Sequence, residues 1–255
     1  MAVTGTLPTE EGLMAAARRA GESRLQGLMR AARRAGDPRA QELVAAAEGD
    51  CRSLELVTAA ERAGIQDLRL LAAIAATPRE LFVPLRSAGQ ACLDAPIPLA
   101  HGQPTSQPSL VAQMIDALGL TGDETVLEIG TGYGYQTALL ARLARHVHSI
   151  ERLPDLAAHA RANLAAAGIT GAEVLVGDGS AGLPEHAPYD AVIVSAAAPH
   201  VPAALAEQLA EGGRLVMPVT GQIADIVTLF TKQRGRLASL REVTPASFVP
   251  LIPGP

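Results

Sequence analysis

A glycine-rich segment, Glu128-Ile-Gly-Thr-Gly-Tyr-Gly134, contains residue types that could form a ligand pocket. Its glycines, Gly130, Gly132 and Gly134, fall between a predicted strand and a predicted helix, where glycine permits a positive φ and lets a ligand approach the backbone. The dinucleotide motif requires a small residue where Tyr135 stands, and the phosphate-binding P-loop requires a lysine that this segment lacks. Neither phosphate-binding interpretation is therefore favoured.

Carboxylates follow three successive predicted strands. Glu128 and Glu151 come at the ends of the first and second strands, and Asp178 follows the third. Glu151 lies 21 residues after Gly130, where an acid can hydrogen-bond a ribose diol. Three carboxylates would repel a pyrophosphate, whereas they suit a ligand that carries a sulfonium, an ammonium and a ribose. The pattern predicts an S-adenosylmethionine site, although each acid taken alone is more often a solvated loop residue or a helix cap.

The elements that must position these residues alternate between strands and helices. Strands are predicted at 125–129, 146–151, 173–176, 189–195 and 214–219, and helices at 109–118, 135–144, 154–167 and 202–209. Helices of this length between strands indicate βαβ units and a parallel sheet covered on both faces. Residues 226–231 and 248–252 are expected to add closing strands, antiparallel at one edge. The predicted fold is α/β, a doubly wound, mostly parallel Rossmann-like sheet.

The segment before this alternation has a different sequence pattern, with repeated helix-forming runs. The run AARRAG occurs at 16–21 and again at 31–36, and short helices are predicted at about 10–20, 23–35 and 38–48. Helices at 54–63 and 67–75 follow, and four prolines within 94–108 predict an ordered loop there. We therefore divide the chain into a helical N-terminal extension, 1–53, and an α/β domain, 54–255, which contains the predicted S-adenosylmethionine site.

Composition excludes several function classes. A net charge of −5 argues against a nucleic-acid binder, and six aromatic residues without tryptophan disfavour base-stacking platforms. No apolar run reaches the ~18 residues of a membrane span, and no secretory signal opens the chain, so a cytoplasmic protein is expected. Two cysteines and six histidines show no metal-ligand spacing, and we expect no metal.

Eight segments follow one another along the chain in a characteristic order: PRELFVP (78–84), DAPIPLAHGQPTSQP (94–108), VLEIGTGYGYQTALLA (126–141), VHSIER (147–152), GDG (177–179), APYDAVIVSAAAPHVP (187–202), LAEGGRLVMPV (209–219) and SFVPL (247–251). Together they resemble the protein-L-isoaspartate O-methyltransferase family of class I S-adenosylmethionine-dependent methyltransferases. Many methyltransferases share the glycine loop. The loop with Gly102-Gln103 and then Ser106-Gln107-Pro108, followed by the other segments, is far more specific.

The resemblance implies methyl transfer from S-adenosylmethionine to the carboxylate of L-isoaspartyl residues in damaged proteins or peptides, which begins their repair. It gives Ser106 the family's active-site serine position. The remaining implied cofactor residues are Thr105, Gln107 and Pro108 beside the cofactor and acceptor, Glu151 and Arg152 at the ribose, Asp178 and Gly179 at the adenine, and Glu128, Gly130, Gly132 and Gly134 around the glycine loop. Isoaspartyl proteins or peptides are then the expected partners, and a monomer is the default state.

Two other functions stay open at this point. Pro104-Thr105 stands where the family usually has Thr-Ile, and Cys92 where tyrosine is usual. These departures and the extension would fit a related carboxyl methyltransferase that acts on a dedicated peptide natural-product precursor. A non-catalytic module that holds S-adenosylmethionine is the second alternative, and the presence of Ser106, Glu151 and Asp178 argues against it.

Overall fold

The structure, a computed structural model, describes residues 26–38, 41 and 53–254. Residues 26–35 are helical, and Gly36 ends this helix with a φ of 66°, as expected for the helix predicted at 23–35. The helix predicted at 10–20 and most of that predicted at 38–48 lie outside the described residues. The domain boundary at residue 53 stays a prediction.

From residue 125 to residue 233 the helices and strands follow the predicted order. The helices are α1 (Ser53–Arg62), α2 (Leu68–Ala75), α3 (Pro108–Leu118), α4 (Tyr135–Leu143), α5 (Pro154–Ala166) and α6 (Ala203–Gln208). The strands are β1 (Ile97–Pro98), β2 (Pro104–Thr105), β3 (Thr125–Ile129), β4 (His146–Glu151), β5 (Ala172–Val176), β6 (Tyr189–Val194), β7 (Leu209–Val219), β8 (Asp225–Gln233) and β9 (Arg236–Ala246). Short 3₁₀ turns occupy Arg79–Phe82, Leu85–Gln90, Ala100–Gly102, Gly179–Ala181 and Pro184–His186.

Seven strands form one sheet in the order β5-β4-β3-β6-β7-β8-β9. Strands β3 to β7 run parallel, whereas β8 and β9 are antiparallel to their neighbours. The predicted doubly wound, mostly parallel sheet with an antiparallel edge is confirmed. The chain proceeds from β3 outward to β5 and then returns to β6, so the strand order reverses between β3 and β6. Ligands of such sheets bind at the carboxyl ends of the strands beside this switch point.

The prediction of a closing strand at 248–252 is wrong. The edge strand is β9, which a two-residue turn joins to β8, and both turn residues, Arg234 and Gly235, have positive φ. Because most of β9 is exposed, its sequence lacks a buried alternating pattern. Residues 248–252 run back across the sheet instead: the Ala197 N–H donates to the Val249 carbonyl at 2.8 Å, and the Leu251 N–H to the Ala197 carbonyl at 2.7 Å.

Two apolar layers cover the sheet. One layer packs helices α1 to α5 on the face that includes Val126 and Val216, and the other packs α6 and the C-terminal residues on the opposite face. Leu28, from the helical segment at 26–35, is 6% exposed and belongs to the first layer. The described part of the N-terminal extension therefore packs against the main core. Among the described residues no helix has both the length and the apolar character needed to span a bilayer.

Candidate active site

A cavity of about 400 Å³ opens at the carboxyl ends of β3, β4 and β6, where the strand order reverses. Three parts of the chain line most of it: residues 103–107, the glycine turn at 130–133 together with Glu151, and residues 244–249. The predicted loop at 94–108 thus meets the glycine turn in one cavity. Residues 244–249 complete the wall, a role that their sequence did not indicate beyond the SFVPL segment.

The glycine turn needs its glycines for two reasons. Gly130 and Gly132 have φ values of 91° and 57°, which strain any residue with a side chain. A Cβ at Gly130 would also lie 3.3 Å from the Ser195 Cβ, so the end of β3 can approach the end of β6 closely. Both glycines line the cavity, and a ligand there would contact bare backbone.

Glu151 stands at the predicted position, at the end of β4 and on the cavity wall. It is 6% exposed, and its two carboxylate oxygens accept hydrogen bonds from the Gly132 N–H at 2.9 Å and the Leu153 N–H at 3.0 Å. These bonds fix the carboxylate beside the glycine turn. A buried carboxylate held in this way can accept hydrogen bonds from a diol.

Glu128 was predicted as a cofactor residue at the glycine loop, but the structure does not place it on the cavity wall. Its side chain is fully buried and does not line the cavity. One carboxylate oxygen accepts from Gln136 Nε2 at 2.9 Å, and the other accepts from Thr137 Oγ1 at 2.5 Å and Ser149 Oγ at 2.6 Å. Strand β3 is flanked by β4 and β6 and covered by α4, so its penultimate side chain is enclosed rather than exposed at the edge.

The buried carboxyl of Glu128 has an unusual proton affinity. Burial raises its pKa to about 7, aided by the nearby charge of Glu151 and opposed by the hydrogen bonds from Ser149, Thr137 and Gln136. Gln136 also lines the cavity and donates to Ser195 Oγ at 3.0 Å. Glu128 therefore supports the cavity wall from behind through Gln136. Sequence reasoning did not identify Gln136 or Ser195.

The loop at 94–108 is held from beneath by Arg79, a residue to which sequence reasoning gave no role. Arg79 is 1% exposed and lies in the 3₁₀ turn Arg79–Phe82. Its guanidinium donates to Thr105 Oγ1 at 2.9 Å and to the Ser106 carbonyl at 3.2 Å. It also donates to three carbonyls, those of Ala91, Leu93 and Ala95. The one feature of the sequence that could have indicated this role is that Arg79 belongs to the PRELFVP segment.

Ser106 lines the cavity, as do its neighbours Thr105 and Gln107. The Thr105 hydroxyl is also engaged structurally, because it accepts from Arg79 and from the Ile97 N–H at 3.2 Å. Gln107 Nε2 donates to an Asp94 carboxylate oxygen at 2.9 Å, and the other oxygen of Asp94 accepts from the Ser109 N–H at 2.8 Å. The loop is thus tied to the start of α3, which holds Ser106 at the cavity.

Besides Glu128, five predicted cofactor residues do not line this cavity: Pro108, Gly134, Arg152, Asp178 and Gly179. Pro108 begins α3 and is buried. A Cβ at Gly134 would lie 3.5 Å from the Ala160 Cβ, so this glycine permits close packing on α5. Arg152 is exposed, and Gly179 is buried.

Asp178 follows β5 and is tied to both neighbouring and distant backbone. One oxygen accepts from the Ser180 N–H at 2.9 Å and the Ser180 hydroxyl at 2.7 Å, and the other from the Gly254 N–H at 2.7 Å. Burial alone would raise the pKa of Asp178, but these hydrogen bonds and the charge of Arg152 outweigh it and lower the pKa. The carboxylate stays ionised at the end of β5, next along the sheet from Glu151.

The cavity fits S-adenosylmethionine by its donor chemistry. Among the described residues, no lysine or arginine lines it, and Glu151 is its one acid, so the lining suits a ribose and a cationic centre rather than a phosphate chain. The glycine turn lies at the switch point of a doubly wound sheet. The fold and this site define a class I S-adenosylmethionine-dependent methyltransferase.

Comparison with known sequences specifies the family. The family model for protein-L-isoaspartate(D-aspartate) O-methyltransferase matches residues 52–254, and the chain belongs to this family. A protein-L-isoaspartate O-methyltransferase from Methanoculleus marisnigri is 50% identical over 189 residues, which are 74% of this chain and 86% of the relative. A protein-L-isoaspartate O-methyltransferase 1 from Anaeromyxobacter sp. is 50% identical over 202 residues, 78% of this chain and 95% of the relative.

Solved structures share the fold. A protein-L-isoaspartate O-methyltransferase superposes with a TM-score of 0.69 at 28% identity, over 78% of this chain and 65% of the solved one. A Plasmodium falciparum protein, solved in complex with S-adenosyl-L-homocysteine, also gives a TM-score of 0.69, at 20% identity over 79% of this chain and 98% of that one.

Proposed function

We propose that this protein transfers a methyl group from S-adenosylmethionine to the free carboxylate of L-isoaspartyl residues in damaged proteins or peptides. The observation that carries the proposal is the meeting of the glycine turn and the Ser106 loop in one cavity. Membership of the family supports the same acceptor. The product is a methyl ester, which loses methanol as it closes to a succinimide and so begins repair.

The chemistry needs alignment rather than a base. An aspartyl-type carboxylate in water has a pKa of ~3.9, so the acceptor is already ionised at neutral pH. When bound, the cofactor supplies an electrophilic methyl group on a sulfonium. The chain must then align the carboxylate with that methyl group. A misplacement of about 1 Å would slow methyl transfer on the order of a hundredfold.

We assign Ser106 the role of orienting the acceptor carboxylate by donating a hydrogen bond to it. Arg79 holds the Ser106 carbonyl and the Thr105 hydroxyl, so the serine needs no ordering when the acceptor arrives. Thr105 and Gln107 flank it on the cavity wall, and Pro108 fixes the start of α3. The serine is a positioning donor and not a proton acceptor in this scheme.

We assign the cofactor to the glycine turn and to Glu151, whose carboxylate is directed to the ribose. Gly130 and Gly132 offer bare backbone, and the buried Glu151 offers an acceptor that two N–H groups already orient. Arg152, Asp178 and Gly179 are assigned to the ribose and adenine end, beyond the cavity. Glu128 and Gly134 support the turn without contacting the cofactor.

The test is methyl incorporation into an isoaspartyl peptide and into its aspartyl twin of the same sequence. We expect incorporation into the first and a near-blank result with the second, because the extra backbone methylene of isoaspartate displaces the carboxylate. Equal incorporation would reject the repair function and favour the dedicated-peptide alternative. Cofactor binding by calorimetry without turnover on either peptide would favour the binding module.

We also propose that the protein acts in the cytoplasm as a monomer and binds no nucleic acid. The net charge of −5 supports the last statement, because nucleic-acid binding by counterion release requires a basic surface. Size-exclusion chromatography with light scattering would test the oligomeric state.

A further inference from the structure

A cluster of three potential metal ligands lies on the outer half of the sheet, away from the cavity. His146 and His148 are two residues apart on β4, so their side chains emerge from the same face. Glu173, on the edge strand β5, pairs directly with His148 in the sheet register. One ligand atom from each of the three residues lies within 4.8 Å of the others.

His148 carries the second observation. The residue is 6% exposed, and its Nδ1 is buried without a hydrogen-bond partner, 3.5 Å from a Glu173 carboxylate oxygen. Buried polar atoms are nearly always hydrogen-bonded, so a buried nitrogen without a partner is unfavourable. A metal ion between this nitrogen and the Glu173 carboxylate would satisfy both groups.

The cluster lies among stacked rings. The His186 ring stacks on His148 with centroids 4.2 Å apart, and the His146 ring meets His148 edge-on with centroids 4.5 Å apart. Imidazole in its neutral form has a lone pair that binds metal ions.

Contrary to the expectation of no metal drawn from the sequence, we propose that His146, His148 and Glu173 bind a divalent transition-metal ion of the zinc type. Two imidazole nitrogens and one carboxylate oxygen form a donor set that zinc accepts, with a fourth position for water. Zinc–nitrogen distances of about 2.0–2.1 Å place tetrahedral ligand atoms about 3.4 Å apart. The Glu173 side chain is 53% exposed and can close the remaining gap by rotating.

The site has a structural role rather than a catalytic one. His146 begins β4 and Glu151 ends it, and five residues of strand separate the two by about 16 Å. A metal ion between β4 and β5 would tie the edge strand to the sheet. If the ion binds only the folded state, the free energy of unfolding rises with metal concentration. Above the dissociation constant, it rises with the logarithm of that concentration.

The experiment uses the full chain, without a polyhistidine tag, after removal of metal by a chelator. Calorimetric titration with ZnCl₂ should give one ion per chain, and CoCl₂ should give the visible absorption of a four- or five-coordinate cobalt(II) site. The variants are His146→Gln and Glu173→Gln, whose side chains are more exposed than that of His148. His200→Gln removes an exposed histidine outside the cluster and is the matched control.

We expect His146→Gln and Glu173→Gln to lose more than about tenfold in zinc affinity, since even second-shell partners of a metal contribute about 10–100-fold. The thermal midpoint of the wild type and of His200→Gln should rise with zinc, and that of the two ligand variants should rise less. Circular dichroism checks that all the variants fold. No stoichiometric binding by the wild type, or unchanged affinity in His146→Gln, would overturn the proposal.

Discussion

Arg79 donates a hydrogen bond from Nη2 to the carbonyl oxygen of Ser106 at 3.2 Å, although the two residues are 27 positions apart in the chain. The same nitrogen reaches the Thr105 hydroxyl at 2.9 Å. A buried guanidinium therefore fixes the position of the loop that carries Ser106 at the cavity. In this arrangement a residue outside the cavity lining determines where the proposed orienting group lies.

The hydrogen bonds from Arg79 to Thr105 and Ser106 form a clamp on the loop, and replacing Arg79 should disturb catalysis more than cofactor binding. In Arg79→Lys a single ammonium cannot reach the five acceptors that the guanidinium serves. We expect kcat/KM for an isoaspartyl peptide to fall about ten- to a hundredfold, since hydrogen bonds to charged groups contribute ~1.5–3 kcal/mol. Arg86→Lys, at an exposed neighbouring arginine, is the control. Equal kinetics in the two variants would mean that the clamp does not position Ser106.

Ser106→Ala should lower turnover while S-adenosylmethionine affinity stays within a few fold. This is the pattern of an interaction made chiefly in the transition state. Steady-state methyl transfer and calorimetry measure the two effects separately, and Ser239→Ala, on the exposed face of β9, is the control. Unchanged turnover would reduce Ser106 to a turn residue.

The assignment of Gly132 and Glu151 to the cofactor predicts a binding defect. Gly132→Val should obstruct the backbone at a φ of 57°, and Glu151→Ala should remove the ribose acceptor. Loss of hydrogen bonds to a buried ligand costs ~1–3 kcal/mol, about five- to a hundredfold in affinity. Glu242→Ala, at an exposed acid, should bind normally. If calorimetry gives wild-type affinity for both site variants, the assignment of Gly132 and Glu151 to the cofactor site is wrong.

Glu128 predicts a pH dependence of stability. Its pKa is raised from 4.5 to about 7, so between these values the folded protein keeps a proton that the unfolded chain has released. The contribution of Glu128 to stability is therefore present below about pH 4.5 and is lost as the pH rises to about 7. Relative to Glu128→Gln, the wild type should lose about 3 kcal/mol of unfolding free energy across this window.

Chemical denaturation at a series of pH values from 4.5 to 7.5 measures this difference. Glu242→Gln, at an exposed acid, controls for the loss of a carboxyl. If the curves for wild type and Glu128→Gln stay parallel, the Glu128 carboxyl titrates alike in the folded and unfolded states.

The domain boundary predicts the behaviour of a chain that begins at Ser53. The sheet and its helices have their own core, so this chain should fold and bind S-adenosylmethionine. It should nevertheless be less stable than the full chain, because Leu28 is 6% exposed and burying a leucine contributes ~1.5–3 kcal/mol. Circular dichroism and thermal melting would measure both effects. An unfolded shortened chain would make residues before 53 part of the domain core.

The sequence alone determined the order and type of the elements around the site. Strands β3 and β4 lie at the predicted residues because they are short apolar runs bounded by turns and helices, and such patterns depend on local residues alone. The position of Glu151 at the cavity followed from its place at a strand end. The resemblance of the loop at 94–108 to the family pattern indicated that Ser106 lies at the site.

Tertiary structure decided what faces the cavity and what supports it. The residue pattern of β3 does not indicate that α4 and two neighbouring strands enclose Glu128. Strand β9 is mostly exposed, so its sequence has no alternating pattern from which the strand could be predicted. The clamp of Arg79 on Ser106 and the pairing of His148 with Glu173 join residues that are distant in the chain. Such contacts depend on packing and strand register, which arise from the whole chain and leave no local mark in the sequence.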